Sequence, residues 1–173
     1  YNNFTGVPKV LKPNDCYTQS QIDLTANKIV ALGAKDLAAP FEQLILTSNQ
    51  LNSFPENVFG DNTCVKNIAL NYNNLNSISY GVFPSLYNLK KLDLSHNYLT
   101  TLPIDLPPQL RVLKLSTNLF SETPIGAIPV GLVELDLSNN QLNTLAPSAP
   151  GINTNLGNIT AINLAFNPLS NYT

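Results

Sequence analysis

The 173-residue chain has no methionine and no tryptophan, one histidine and two cysteines. Only 12% of its residues are charged, with a formal net charge of −2. Each scarcity removes a class of function. A metal centre needs several His, Cys, Asp or Glu ligands at close spacing, and no such cluster occurs. There is no Gly-rich phosphate loop. Without a basic run the electrostatic footprint of a nucleic-acid binder is missing, so nucleic acid is not expected as the main partner. No apolar run is long enough to span a bilayer. A chain that opens on Tyr1 and contains no methionine reads as a processed or excised product. No cofactor is called for, and catalysis finds little support. The one histidine, His96, reads as a solvent-facing residue at the end of a strand. It follows Ser95 directly, and neighbours on a strand point to opposite faces, so the two cannot form a nucleophile–base pair.

What the chain does have is leucine and asparagine at fixed spacing. Residues 89–99 read LKKLDLSHNYL, with leucine at positions 1, 4, 6 and 11 and asparagine at position 9. The pattern recurs in 41–51 (FEQLILTSNQL), 65–75 (VKNIALNYNNL), 110–120 (LRVLKLSTNLF), 132–142 (LVELDLSNNQL) and 159–169 (ITAINLAFNPL). A weaker first copy is 19–29 (QSQIDLTANKI). The asparagines Asn27, Asn49, Asn73, Asn97, Asn118, Asn140 and Asn167 stand 22, 24, 24, 21, 22 and 27 residues apart. A step of that size cannot bury its own apolar face, but stacked copies form one continuous core. Apolar positions 4 and 6 around an exposed position 5 have strand periodicity. Strands joined by a long return run parallel. Each asparagine stands where its strand turns away, with an amide able to pair backbone groups that the turn leaves open.

These segments resemble the leucine-rich repeat family, whose conserved stretch reads L-x-x-L-x-L-x-x-N/C-x-L. The resemblance implies an α/β-type solenoid, a horseshoe with a parallel sheet on the concave face. Seven repeats span 19–169 of a single domain, 1–173. Residues 1–18 form an N-terminal cap or a partial repeat, and 170–173 a short tail without an evident cap. Phe59, Phe83 and Leu37 share position 19 and are expected in the core under the convex face. The returns LPIDLPPQ (102–109) and TPIGAIPVG (123–131) are rich in proline, which disfavours helix. Convex returns should therefore be extended or turn-like, with helix confined to single turns. The 24-residue copies look like those of extracellular receptors, and 102–110 resembles a more compact repeat type. The longest return, 143–158, is expected to be a loop on the surface, either a mobile insertion or a contact element.

The family implies recognition of a protein or peptide on the concave face, outside the cell or on its surface. Exposed strand positions of the middle repeats gather Lys66, Asn67, Tyr72, Lys91, Asp93, His96, Lys114, Glu134 and Asp136, the candidate partner-binding set. Tyr72 and His96 hold the same position in adjacent repeats. The alternating charges either pair across strands or orient a partner. Three triplets, at Asn3, Asn158 and Asn171, match the N-glycosylation acceptor pattern. Cys16 and Cys64 are either two separate thiols or one disulfide. By register they lie two repeats apart, roughly 10 Å at ~4.8 Å per strand, against a usual Cα separation below about 7 Å. A second functional class is a structural protein that stacks end to end into a fibre through an uncapped last repeat. Its assembly edge would be Ile162, Leu164, Phe166 and Leu169.

Overall fold

The computed structural model describes residues 3–7, 20–143 and 157–170. Nine short strands alternate with turns: β1 (Gln21–Asp23), β2 (Gln43–Ile45), β3 (Ser53–Phe54), β4 (Asn67–Ala69), β5 (Ser77–Ile78), β6 (Lys91–Asp93), β7 (Val112–Lys114), β8 (Glu134–Asp136) and β9 (Ala161–Asn163). One 3-10 turn, Ile125–Ala127, is the only helical element among the described residues. The solenoid is thus nearly helix-free, with extended and turn-like returns.

Seven strands form one parallel sheet in the order β1-β2-β4-β6-β7-β8-β9. Register holds residue for residue from turn to turn: Leu44 faces Ile68, then Leu92, Leu113, Leu135 and Ile162. Each strand is only three residues long and places its middle side chain inward. From β1 to β8 that central residue is buried, whereas all three residues of β9 are exposed. The inward leucines stack into one continuous core, with Leu46, Leu70, Leu94, Leu115 and Leu137 sealed from solvent. At about 25 cal/mol per Å², this shared burial is what stabilises turns that could not fold alone.

The asparagine ladder carries the turns. Asn97 Nδ2 donates to Leu94 O at 3.1 Å in its own turn and to Leu70 O at 3.0 Å in the turn before. Its Oδ1 accepts from Leu75 N at 2.9 Å. The same three contacts recur at Asn49, Asn73, Asn118, Asn140 and Asn167. At Asn27 the Oδ1 accepts from Phe4 N at 3.2 Å, so Phe4 takes the place that Ile29, Leu51 and Leu75 take in later turns.

The residue just before each ladder asparagine is left-handed in all seven turns. These are Ala26, Ser48, Tyr72, His96, Thr117, Asn139 and Phe166, with φ from 52° to 58°. No glycine is used, although the left-handed region is unfavourable for bulky and β-branched residues. The bend brings the asparagine amide back onto its own strand.

The returns come in two styles. In 41–88, Phe59 and Phe83 are buried at position 19, as is Leu37 in the first turn, and the Phe54 and Phe59 rings lie 5.7 Å apart. A second, two-stranded sheet joins β3 to β5 there. Proline bounds it on both sides. Ser79 N donates to Phe54 O at 3.1 Å, but position 15 of the flanking turns is Pro55 and Pro103, which have no N–H to extend the ladder. The return at 144–156 lies outside the described residues, as do Cys16 and Asn171.

Candidate functional site

The outward face of the main sheet is built from positions 3 and 5 of each turn, because a three-residue strand with a buried centre points its two ends to solvent. Across β2, β4, β6 and β7 these residues line a shallow depression of about 390 Å³. Gln43, Ile45, Asn67 and Ala69 form one half, and Lys91, Asp93, Val112 and Lys114 the other. Glu134 and Asp136 continue the face on β8.

The structure brings together Asn67, Lys91, Asp93 and Lys114 of the residues expected from sequence. It separates others. Lys66 is not on this face: position 2 falls one residue before β4, and its ammonium pairs with Glu42 Oε1 at 2.6 Å. Tyr72 and His96 lie beyond the strand ends, in the left-handed bend. His96 is not simply solvent-facing, because its half-buried ring stacks on Tyr72 with centroids 4.0 Å apart and planes 11° apart. Ile45, Ala69 and Val112 were not expected in the site. Their signal was available, since they occupy positions 3 and 5 of matched segments, whose side chains point outward.

Charges on the face alternate by register without closing into ion pairs. Asp93, Lys114 and Asp136 are direct neighbours across β6, β7 and β8. Among the described residues the ion pair is Lys66–Glu42, and the side chains of Lys91, Lys114 and Glu134 have no hydrogen bond or ion pair. The aspartates are partly committed. Asp93 Oδ1 accepts from Ser95 N at 3.0 Å and Ser95 Oγ at 2.6 Å. Asp136 does the same with Ser138 at 3.0 and 2.7 Å. On β1 the equivalent Asp23 binds Thr25, whose hydroxyl and then backbone N–H hold the carboxyl below its ordinary range.

Elsewhere, Cys64 is disulfide-bonded, its side chain almost wholly buried. Asn3 and Asn158 are exposed, and Asn158 Nδ2 donates to Val130 O at 2.8 Å. No cluster of three or more His, Cys, Asp or Glu side chains able to hold a metal occurs among the described residues. No described helix is long and apolar enough to cross a membrane.

Comparison with known proteins follows the same repeat. Leucine rich repeat family models match residues 39–99, 63–120 and 131–151, together more than half of the chain. No curated protein sequence matches. Among solved structures, YopM from Yersinia enterocolitica WA-314 superposes with a TM-score of 0.69 at 26% identity, over 98% of this chain and 32% of that one. TLR13 in its complex with ssRNA13 gives 0.70 at 21% identity, over 83% of this chain and 24% of that one. YopM, a leucine-rich effector protein from Yersinia pestis, gives 0.64 at 23% identity, over 84% and 36%. The chain therefore spans about a third or less of the length of these proteins. Motif, register and asparagine ladder agree with these matches, and the chain belongs to the leucine-rich repeat family.

Proposed function

We propose that this chain is an extracellular binding module that docks a protein or peptide on the concave face of its main sheet. The observation that carries the reading is the depression on β2, β4, β6 and β7, whose lysines are uncommitted while its backbone is locked by the ladder. Such a surface is formed before the partner arrives, so little ordering entropy opposes docking. Leucine-rich repeat proteins typically bind proteins, which supports the same side of the argument. The disulfide at Cys64 suits an oxidising compartment, with Cys16 as its proposed partner, and the exposed Asn3 and Asn158 suit glycosylation there.

The test compares the wild-type chain with a Lys91→Glu/Lys114→Glu variant and with Tyr80→Ser on a return. Each is cross-linked to secreted proteins of its source, with single-stranded RNA as a competitor. Loss of cross-links by about tenfold in the double variant alone, insensitive to RNA, supports the reading. Cross-links that map to the returns sink it. So does binding that RNA abolishes, the class of ligand in the TLR13 complex.

A second reading is end-to-end stacking into a fibre. It is supported by β9, where Ile162 and Phe166 are 50% and 81% exposed and Leu164 and Leu169 only half-buried. Light scattering against concentration would show oligomers that Ile162→Glu dissolves. A monomer at every concentration rejects it.

A further inference from the structure

We propose that the depression takes an extended segment of a partner protein that presents an aromatic ring and, three to five residues away, a carboxylate. This inference rests on the protein-binding reading and names the chemistry of the partner. Two independent features meet in it.

The first is charge. The chain as a whole is acidic, yet the lining of the depression carries two lysines against one aspartate. Neither Lys91 nor Lys114 closes an ion pair; Lys114 has Asp93 and Asp136 beside it in register, whereas Lys91 has only the uncharged Asn67 and Val112. An incoming carboxylate would find the Lys91 ammonium without an acidic neighbour in register and that of Lys114 one strand on, and charge-assisted bonds of this kind are the strong ones.

The second is the ring column. The left-handed bend does not need an aromatic side chain, since Ala26, Ser48, Thr117 and Asn139 fill the same place in other turns. Tyr72 nevertheless carries its ring there, 52% exposed and stacked on His96. One face of Tyr72 is covered by His96. By register the other looks toward Ser48, the small residue of the preceding turn, so a ring seated over Ser48 would continue the column. Three residues earlier in the same two turns stand Ile45 and Ala69, the apolar members of the uncharged half of the depression. Stacked aromatic pairs contribute about 0.5–1.5 kcal/mol beyond their buried area.

Spacing ties the two together. From Ser48 to Lys114 is three strands and three repeat positions, roughly 17 Å at ~4.8 Å per strand and ~3.3 Å per residue. The flexible lysine stem shortens that span, which leaves three to five residues of extended peptide.

The test is an array of capped decapeptides, each pairing one Phe with one Glu at separations of zero to eight residues in a Ser/Gly background. Control arrays carry Ala for Phe or Lys for Glu. The proteins are the wild-type chain, Lys91→Glu/Lys114→Glu, and Tyr72→Asn, which keeps the left-handed bend because asparagine tolerates it. Melting curves establish that all three fold. Expected is at least tenfold preference for Phe–Glu pairs three to five residues apart. The charge-reversed protein should favour the Lys arrays. Tyr72→Asn should lose the Phe preference and keep the Glu preference. Absence of any spacing optimum, or a Phe preference that survives Tyr72→Asn, overturns the proposal. If the cross-linking above still maps protein partners to the concave face, only this chemistry fails. If it does not, the protein-binding reading fails with it.

Discussion

Turns 41–64 and 65–88 differ from turns 89–109 and 110–131 in everything except their spine. The first pair buries Phe59 and Phe83 and adds the β3–β5 sheet. The second pair is shorter and rich in proline, carries the 3-10 turn Ile125–Ala127 and leaves Ile104 76% exposed. Yet Asn67, Lys91 and Val112 stay in unbroken register across the boundary. Concave geometry is thus set by the leucines and the ladder, and the return is free to change length and style. A binding surface built on positions 3 and 5 inherits that independence.

The largest expected effect tests the return. Phe83→Ala, in a sealed site, should cost about 3–5 kcal/mol, whereas Ile104→Ala one turn later should stay within about 0.5 kcal/mol. Chemical denaturation reads both, and equal losses would erase the distinction between the two return styles. The spine should be sensitive in every turn. Asn97→Ala and Asn118→Ala, on either side of the change in style, should each cost about 2–4 kcal/mol because buried N–H and C=O groups lose their partners. A loss confined to Asn97 would mean that the ladder matters only under aromatic returns.

Smaller effects sharpen the picture of the bend. Thr117 is β-branched at φ 54°, so Thr117→Asn should raise stability by about 0.5–1 kcal/mol, measured as a shift in melting temperature. A destabilised variant would mean the threonine makes a compensating contact. The smallest effect concerns Asp23. Its carboxyl is held below the ordinary carboxylate range by the Thr25 hydroxyl and backbone N–H. The stability it lends is therefore present above the unfolded value and fades as pH falls through the lower folded one. Thr25→Val should flatten the acid limb of the stability profile slightly below pH ~4. An unchanged limb would show that this exposed pair adds nothing measurable, as surface pairs often do.

Much of the fold was legible because its determinants repeat. Seven asparagines at steps of 21 to 27 residues set the turns, and the alternation at positions 4 to 6 set the strands. The site was half legible. Asn67, Lys91, Asp93 and Lys114 follow from position alone, as does the neighbourhood of Tyr72 and His96. Lys66 was misplaced because strand edges are not marked in sequence, and one residue decides whether a side chain joins the face. Ile45 and Val112 carry the same positional signal, and only their apolar character set them apart from the polar and charged residues expected there.

The sequence by itself determined the repeat, the parallel sheet, the inward leucines and the near absence of helix, since all depend on local spacing and on proline. Only the tertiary structure decided which charges remain unpaired, that Tyr72 and His96 stack, and that Pro55 and Pro103 bound the minor sheet. Those facts depend on atoms 20 or more residues apart meeting across turns, and a distance of a few ångströms between side chains is not encoded in any one repeat.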